Sequence, residues 1–150
     1  MSTVSIRSAE DRDVRELVEL WEACGLTRPH NDASTDIAFA RRGPNSDVLV
    51  AMRDGRIVAS AMVGHDGHRG IVYYVSVAPD VRREGLGRTI MEAAERWLIE
   101  HGIWKLNLLV RASNSDVVSF YQSVGYTVED SLCLSKRLRP MPHVDPRAPR

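Results

Sequence analysis

Apolar residues recur along the chain with two periods, one typical of strands and one typical of helices. Between residues 14 and 24 they return every three or four positions, which predicts a helix that Gly25 ends. Between residues 71 and 77 a run of β-branched and aromatic residues predicts a buried strand. The predicted strands cover 4–7, 48–52, 57–64, 71–77 and 106–110, with one or two more over 126–138, and the predicted helices cover 14–24, 37–41 and 87–101, with a last one capped by Asn114 or Ser115 that runs to Ser123.

The order of these elements predicts an α/β domain with a mixed sheet. Asp54-Gly55 is a strong hairpin signal, so the strands on either side of it should be antiparallel. The strand, helix and strand between residues 71 and 110 should instead form a parallel pair. Asp32, Ser34 or Asp36 is expected to cap the second helix.

Composition and charge narrow the functional classes. The 150 residues are 43% hydrophobic and 27% charged, as in one globular domain, which we place at 1–138 and follow with a proline-rich tail at 139–150. Twenty basic and twenty acidic residues leave no net charge, so we expect no nucleic acid as the main partner. With no long apolar run and no signal peptide in the sequence, we expect a cytoplasmic protein without membrane contact. Cys24 and Cys133 are expected to be reduced and buried, and no metal site is expected.

The segment 82–88, Arg-Arg-Glu-Gly-Leu-Gly-Arg, has the composition of a phosphate-binding loop. Its two glycines allow a tight turn with accessible backbone amides, and the start of the following helix adds unpaired N–H groups. It lacks the third glycine of a dinucleotide-binding fingerprint and the Gly-Lys-Ser/Thr ending of a nucleoside triphosphate loop. The segment therefore predicts a local phosphate site, and a surface loop with solvated arginines is the alternative interpretation.

Two motifs in this order resemble the GCN5-related N-acetyltransferases, or GNAT family. Residues 82–87 are similar to the family's pyrophosphate signature, and residues 114–126 are similar to its Asn-x-x-Ala-x-x-Phe-Tyr-x-x-x-Gly-Phe/Tyr segment, with valine in place of the alanine. The closest resemblance is to the YpeA-like and RimI-like members. It covers the chain to about Leu138, and it implies an α/β (α+β) fold whose central mixed, mostly antiparallel sheet has six to seven strands flanked by about four helices.

The resemblance implies acetyl-CoA as co-substrate and an amine as acceptor. Backbone groups of Val75 and Val77 would pair with the pantetheine arm, and Asn114 would add a polar contact. Tyr121 would act as general acid towards the CoA thiolate, since a thiolate leaving group needs a proton donor. The pyrophosphate would be held by the loop residues Arg82, Arg83, Glu84, Gly85, Leu86, Gly87 and Arg88.

The general base and the acceptor site are less determined. The RimI-like enzymes carry a catalytic glutamate where this chain has Leu109. The candidate bases are His65, Asp66 and Tyr73, with His68 and Tyr74 as further local alternatives. The candidate acceptor-binding residues are Arg28, Asn31, Asp32 and Tyr73, and a polar loop that only caps the second helix is the alternative for the first three.

Two other functions remain open from the sequence. A non-catalytic acyl-CoA-binding or regulatory module would need no base, but it would have no use for an acid at the sulfur. A nucleotide-binding domain would bind nucleotide alone. The acceptor could be a small-molecule amine or a protein amine. Homodimers are common in the family, so a homodimer is possible beside a monomer.

Overall fold

A computed structural model describes residues 3–139 of the protein. The strands are β1 (Ser5–Ser8), β2 (Ser46–Arg53), β3 (Arg56–His65), β4 (Gly70–Val77) and β5 (Leu106–Asn107). The α-helices are α1 (Val14–Ala23), α2 (Ala33–Arg42), α3 (Leu86–Glu100) and α4 (Ser115–Ser123). Within these residues no helix combines the length and the apolar character needed to cross a membrane.

The five strands form one sheet in the order β1-β2-β3-β4-β5, and only the β4 and β5 pair is parallel. The predicted hairpin is confirmed: Asp54 and Gly55 both have positive φ, as a type I′ turn requires, and Arg53 pairs with Arg56. The mixed, mostly antiparallel sheet and the four helices are also as predicted.

Alternate residues of the strands face two separate cores. One core packs α1 and α2 on the sheet through Leu17, Trp21 and Ile37. The other packs α3 on the opposite face through Ile90 and Met91, and side chains of α4 lie against it. Helices therefore cover both faces, and the sheet positions the groups between them.

The strand count of six to seven is wrong for the described residues. The predicted strand over 106–110 is only two residues long, and no strand forms over 127–139. In the latter segment Leu132, Leu134 and Leu138 are about 90% exposed. These side chains have the alternation of a strand, and Glu129 lies 2.8 Å from Lys105 beside β5, but the segment forms no ladder of backbone hydrogen bonds with a neighbouring strand.

The expectation of two buried cysteines is corrected by the structure, and the expectation about the tail concerns mostly residues that the structure does not describe. Both cysteines are free, but neither is fully buried. Cys24 is partly buried, and Cys133 is exposed because it lies in the unpaired segment 127–139. The proline-rich part of the tail, 140–150, lies outside the described residues.

Candidate active site

An opening between β4 and β5 lies at the centre of the site. The two strands pair only at Gly70 with Leu106 and at Ile71 with Asn107. Beyond Ile71, β4 continues to Val77 while β5 ends, so this edge of β4 is free of β5 over most of its length. The predicted cofactor residues Val75 and Val77 lie on this free stretch. Unpaired backbone N–H and C=O groups of a strand are suited to pairing with an extended ligand.

A β-bulge distorts β4 beside the opening. Ser76 pairs with Ser60 and Tyr73 pairs with Met62, so β4 has one more residue than β3 between these pairs. Tyr74 has a φ of 53°, a left-handed conformation that costs a tyrosine roughly 1 kcal/mol or more. A conformation with this cost persists only when neighbouring groups hold it in place.

A buried polar network lies beneath the bulge. The indole Nε1 of Trp21 donates to Oγ of Ser60 at 2.8 Å, and Oγ of Ser60 lies 2.7 Å from Oγ of Ser76. The hydroxyl of Ser60 also lies 3.3 Å from the carbonyl oxygen of Tyr74, a group of the bulge itself. The network therefore ties the bulge to α1 through β3. The sequence motifs did not predict these residues, although two serines within buried apolar strands were a signal.

The side chain of Tyr74 is held from two sides. Its ring stacks on Trp21 with centroids 4.0 Å apart and planes 3° from parallel. Its hydroxyl donates to Oδ2 of Asp36 in α2 at 2.7 Å. Burial, and then the hydrogen bond to Asp36, raise the pKa of Tyr74. This phenol therefore stays neutral at physiological pH and serves to fix the bulge.

The predicted phosphate loop has a backbone suited to an anion. Gly85 caps α3 with a φ of 80°, and Arg83 also has a positive φ of 68°. No side chain caps the N-terminus of α3, so its first N–H groups are not used by a capping group. Arg82 is exposed beside them. The loop therefore combines free amides, the positive end of a helix dipole and cationic side chains.

Gly87 serves a different purpose from Gly85. Its φ is not positive, but a Cβ at this position would lie 2.9 Å from Cζ of Phe120 in α4. The absence of a side chain lets α4 approach the start of α3. The two glycines of the motif thus allow a turn and a helix contact respectively.

Ion pairs join the phosphate loop, and the turn that precedes it, to the β2–β3 hairpin. Arg53 binds Glu84 at 3.1 Å, and Arg56 binds the carboxylate of Asp80 through two hydrogen bonds. The pKa of Asp80 is lowered chiefly by its hydrogen bond with Arg56. Arginines of the hairpin thereby offset the negative charges of Glu84 and Asp80, the two carboxylates near the proposed pyrophosphate position.

The residues of the second motif lie on α4. Asn114 caps this helix by accepting from the backbone N–H of Val117 at 3.4 Å, so part of its predicted binding capacity is used locally. Arg88 donates to the carbonyl of Ser123 at 3.3 Å, which directs it towards the end of α4. Tyr121 is half-buried and makes edge contacts with the rings of Phe120 and Tyr126. Burial raises the pKa of Tyr121, so its phenol is protonated and able to donate at neutral pH.

A groove of about 440 Å³ lies between α2 and the sheet, and it is lined by all three candidate bases, His65, Asp66 and Tyr73. Nδ1 of His65 accepts from the N–H of Gly67 at 3.0 Å. The carboxylate of Asp66 accepts two backbone N–H groups of its own turn, and these hydrogen bonds lower its pKa. The hydroxyl of Tyr73 has no hydrogen-bond partner within residues 3–139.

The predicted acceptor-binding loop is used mainly for local structure. The guanidinium of Arg28 donates to the carbonyl groups of Gly25 and Thr27. The backbones of Arg28 and Asn31 form an isolated antiparallel β-bridge. Asp32 caps α2 by accepting from the N–H of Ser34. The hydroxyl of Ser34 also donates to this carboxylate at 2.6 Å, and that hydrogen bond is the main cause that lowers the pKa of Asp32. None of the three lines the groove.

Comparisons with known proteins agree with this geometry. The model of the Acetyltransferase (GNAT) family matches residues 11–126. The chain is 40% identical over 135 residues to Acetyltransferase YE1169 of Yersinia enterocolitica. The aligned region spans 90% of this chain and 96% of that protein.

Solved structures share the fold. The aminoglycoside N-acetyltransferase AAC(6')-Iy in complex with CoA superposes with a TM-score of 0.79 at 16% identity, over 93% of this chain and 97% of that one. The same enzyme in complex with a bisubstrate analogue, CoA-S-monomethyl-acetylneamine, gives a TM-score of 0.78 at 19% identity, over 93% of this chain and 100% of that one.

Proposed function

The chain belongs to the GNAT family of acetyltransferases and is an acetyl-CoA-dependent N-acetyltransferase, and from that premise we propose how it works. A primary amine attacks the thioester of acetyl-CoA directly, and Tyr121 protonates the departing CoA thiolate. The observation that carries this proposal is the opening between β4 and β5, which has the phosphate loop at one end and the groove at the other. CoA is bound by solved structures of the same fold, which supports acetyl-CoA as co-substrate.

Each group of the cofactor has a proposed binding site. The loop from Arg82 to Arg88 binds the pyrophosphate, and the free edge of β4 at Val75 and Val77 pairs with the pantetheine arm. This places the thioester near the vertex of the opening. A backbone N–H of β4 close to the bulge would stabilise the oxyanion of the tetrahedral intermediate.

The chemistry then needs two proton transfers. The amine nitrogen bonds to the carbonyl carbon and loses a proton, the carbon–sulfur bond breaks, and the sulfur gains a proton. The pKa of a free thiol is about 8.5, so a thiolate is a weaker base than a phenolate. Tyr121 therefore donates its proton while the carbon–sulfur bond breaks, and the proton that the amine loses returns to the phenol through solvent. Among the candidate bases we propose Tyr73, because hydrogen bonds of their own turn already engage His65 and Asp66.

The Tyr121→Phe variant tests this function. It should keep its affinity for acetyl-CoA and lose roughly a hundredfold or more in kcat, the usual contribution of a general acid. Thiol release across a panel of amines gives kcat, and a thermal shift with acetyl-CoA gives binding. Unchanged turnover would exclude Tyr121 as the acid.

The same measurements separate the alternatives. Tyr73→Phe should lower kcat without changing cofactor binding if Tyr73 takes the amine proton. Saturable binding of acetyl-CoA with no thiol release from any amine would favour the non-catalytic acyl-CoA-binding module. Equal stabilisation by nucleotide alone would favour a nucleotide-binding domain.

We also propose that the protein forms a homodimer in the cytoplasm and acts on a small-molecule or protein amine. The exposed leucines of the unpaired segment, Leu132, Leu134 and Leu138, support the dimer, because exposed alternating apolar residues favour pairing with another strand. Sedimentation equilibrium measures the mass directly, and a monomer at micromolar concentration would contradict the dimer.

A further inference from the structure

The groove beside the bulge has a mainly apolar wall. Met62 in β3 and Ile71 in β4 both line it, and so does Phe39 of α2. Polar groups are concentrated at one end, where β3 turns into β4 and where Asn107 of β5 lies. A site with an apolar wall and a few polar groups at one end suits a ligand with one polar and one apolar part.

Two aromatic side chains at this groove are unusually accessible. Phe39 is 72% exposed and Tyr73 is 46% exposed. Exposing a phenylalanine side chain to water forgoes most of the free energy that its burial would give. Exposed apolar side chains that share one groove, rather than being scattered singly, are typical of a ligand-binding surface.

The charges of the groove do not suit a polycation. Asp66 is the only acidic side chain that lines it within the described residues, and its carboxylate is already bound by two N–H groups. Arg69 also lines the groove and lies over the ring of Trp104 at 4.5 Å. Arg42 adds a second guanidinium 5.9 Å from the ring of Phe39. An acceptor with several positive charges would meet more cations than free anions here.

The groove is continuous with the reacting end of the cofactor opening. Ile71 and Asn107 form the last pair before β4 and β5 separate, and both line the groove. Tyr73 follows on the same face, opposite Met62. An amine bound in the groove would therefore reach a thioester at the vertex of the opening from the face opposite α3.

We infer that the acceptor is a primary amine with a single positive charge and an aromatic or branched apolar body, which packs between Phe39 and the sheet. This inference rests on the proposed function and deepens it. The apolar body lies along Met62 and Ile71, and the amino group points to the opening beside Tyr73.

The experiment compares amines of different charge and polarity at fixed acetyl-CoA. The probes are 2-phenylethylamine, ethylamine, spermidine and neamine, and thiol release gives kcat/KM for each. We expect 2-phenylethylamine to exceed spermidine and neamine by about tenfold or more, within the range that one apolar contact and one charge can provide. A preference for spermidine or neamine would overturn the inference while leaving the acetyltransferase function intact.

Two variants locate the effect. Phe39→Ala should lower kcat/KM for 2-phenylethylamine roughly tenfold and leave ethylamine unchanged. Ile99→Ala, at an equally exposed position on α3 away from the groove, is the matched control and should change neither. Arg69→Gln should raise kcat/KM for spermidine several-fold. An equal loss for both amines in Phe39→Ala would contradict a contact with the apolar body.

Binding provides a second readout if no amine is acetylated. In that case the proposed turnover fails, but 2-phenylethylamine should still stabilise the CoA complex in a thermal shift, and Phe39→Ala should abolish that shift. If 2-phenylethylamine gives neither turnover nor a shift, the inference is wrong.

Discussion

Ser60 is fully buried in β3, and its hydroxyl connects three elements of the fold. It receives the indole N–H of Trp21 from α1, contacts Ser76 and lies within hydrogen-bond distance of the Tyr74 carbonyl. The sequence predicted the buried strands but not this network, because a hydroxyl between distant elements leaves no periodic signal. The phosphate loop could be predicted because its function depends on consecutive residues.

Ser60→Ala should lower the free energy of unfolding by about 1–3 kcal/mol, because the indole N–H and the Tyr74 carbonyl would lose a buried partner. It should also lower kcat, since the bulge would lose one of its restraints. Urea denaturation and thiol release measure the two effects. Ser5→Ala, at an exposed position of β1, is the control, and equal stability of both variants would show that the network contributes nothing.

The helices illustrate what the local sequence can and cannot determine. The caps and turns follow from nearby residues, so Asp32 at α2 and Gly55 in the hairpin were predictable. The predicted acceptor role of Arg28 depended instead on where its loop would lie, and the loop folds onto itself. The role of Gly87 was equally hidden, because its reason is a ring on another helix.

Gly87→Ala should force α3 and α4 apart, since its Cβ would lie 2.9 Å from Phe120. We expect a loss of about 1–3 kcal/mol in stability, as for other overpacked contacts, and a higher KM for acetyl-CoA. Gly43→Ala is the matched control because a Cβ there meets open space. The double variant Gly87→Ala/Phe120→Leu should recover part of the loss, and no recovery would contradict the proposed steric cause.

The hairpin arginines should act on the cofactor loop through charge. Arg56→Gln should raise KM for acetyl-CoA about two- to fivefold with kcat unchanged, because Asp80 would then repel the pyrophosphate. Adding Asp80→Asn should restore KM. If the pair served only to hold the loop in place, the double variant would be as impaired as the single one, and the KM values of the three proteins distinguish these cases.

At the scale of the whole molecule, one partly buried ion pair should contribute to the loss of stability in acid. Asp13 is buried, forms two hydrogen bonds with Arg7 and accepts the N–H of Glu10. The hydrogen bond with Arg7 is the main cause that lowers the pKa of Asp13 in the folded protein. Folding therefore favours the ionised carboxylate. This contribution is complete above the unfolded pKa of about 4 and is lost as pH falls through the lower folded value.

Asp13→Asn should accordingly cost stability at pH 7, and the cost should shrink progressively as pH falls below about 4. We expect a decrease of about 1–3 kcal/mol in the free energy of unfolding at neutral pH, since Arg7 loses its charged partner. Denaturant titrations of both proteins at several pH values measure the difference. A difference that is constant with pH would show that the effect is steric.

The bulge in β4 adds one residue that regular pairing with β3 does not require. Because the registers on both sides of it are regular, removal of Tyr74 would let Val75 pair opposite Ala61 and leave the pairs of Tyr73 and Ser76 unchanged. The cost would be the stacking on Trp21 and the hydrogen bond to Asp36, offset in part by relief of the left-handed backbone. A single in-frame codon therefore separates the bulged strand from a regular one. If the bulge positions the oxyanion donor as proposed, deletion of this one residue would lower activity as a substitution in the site would.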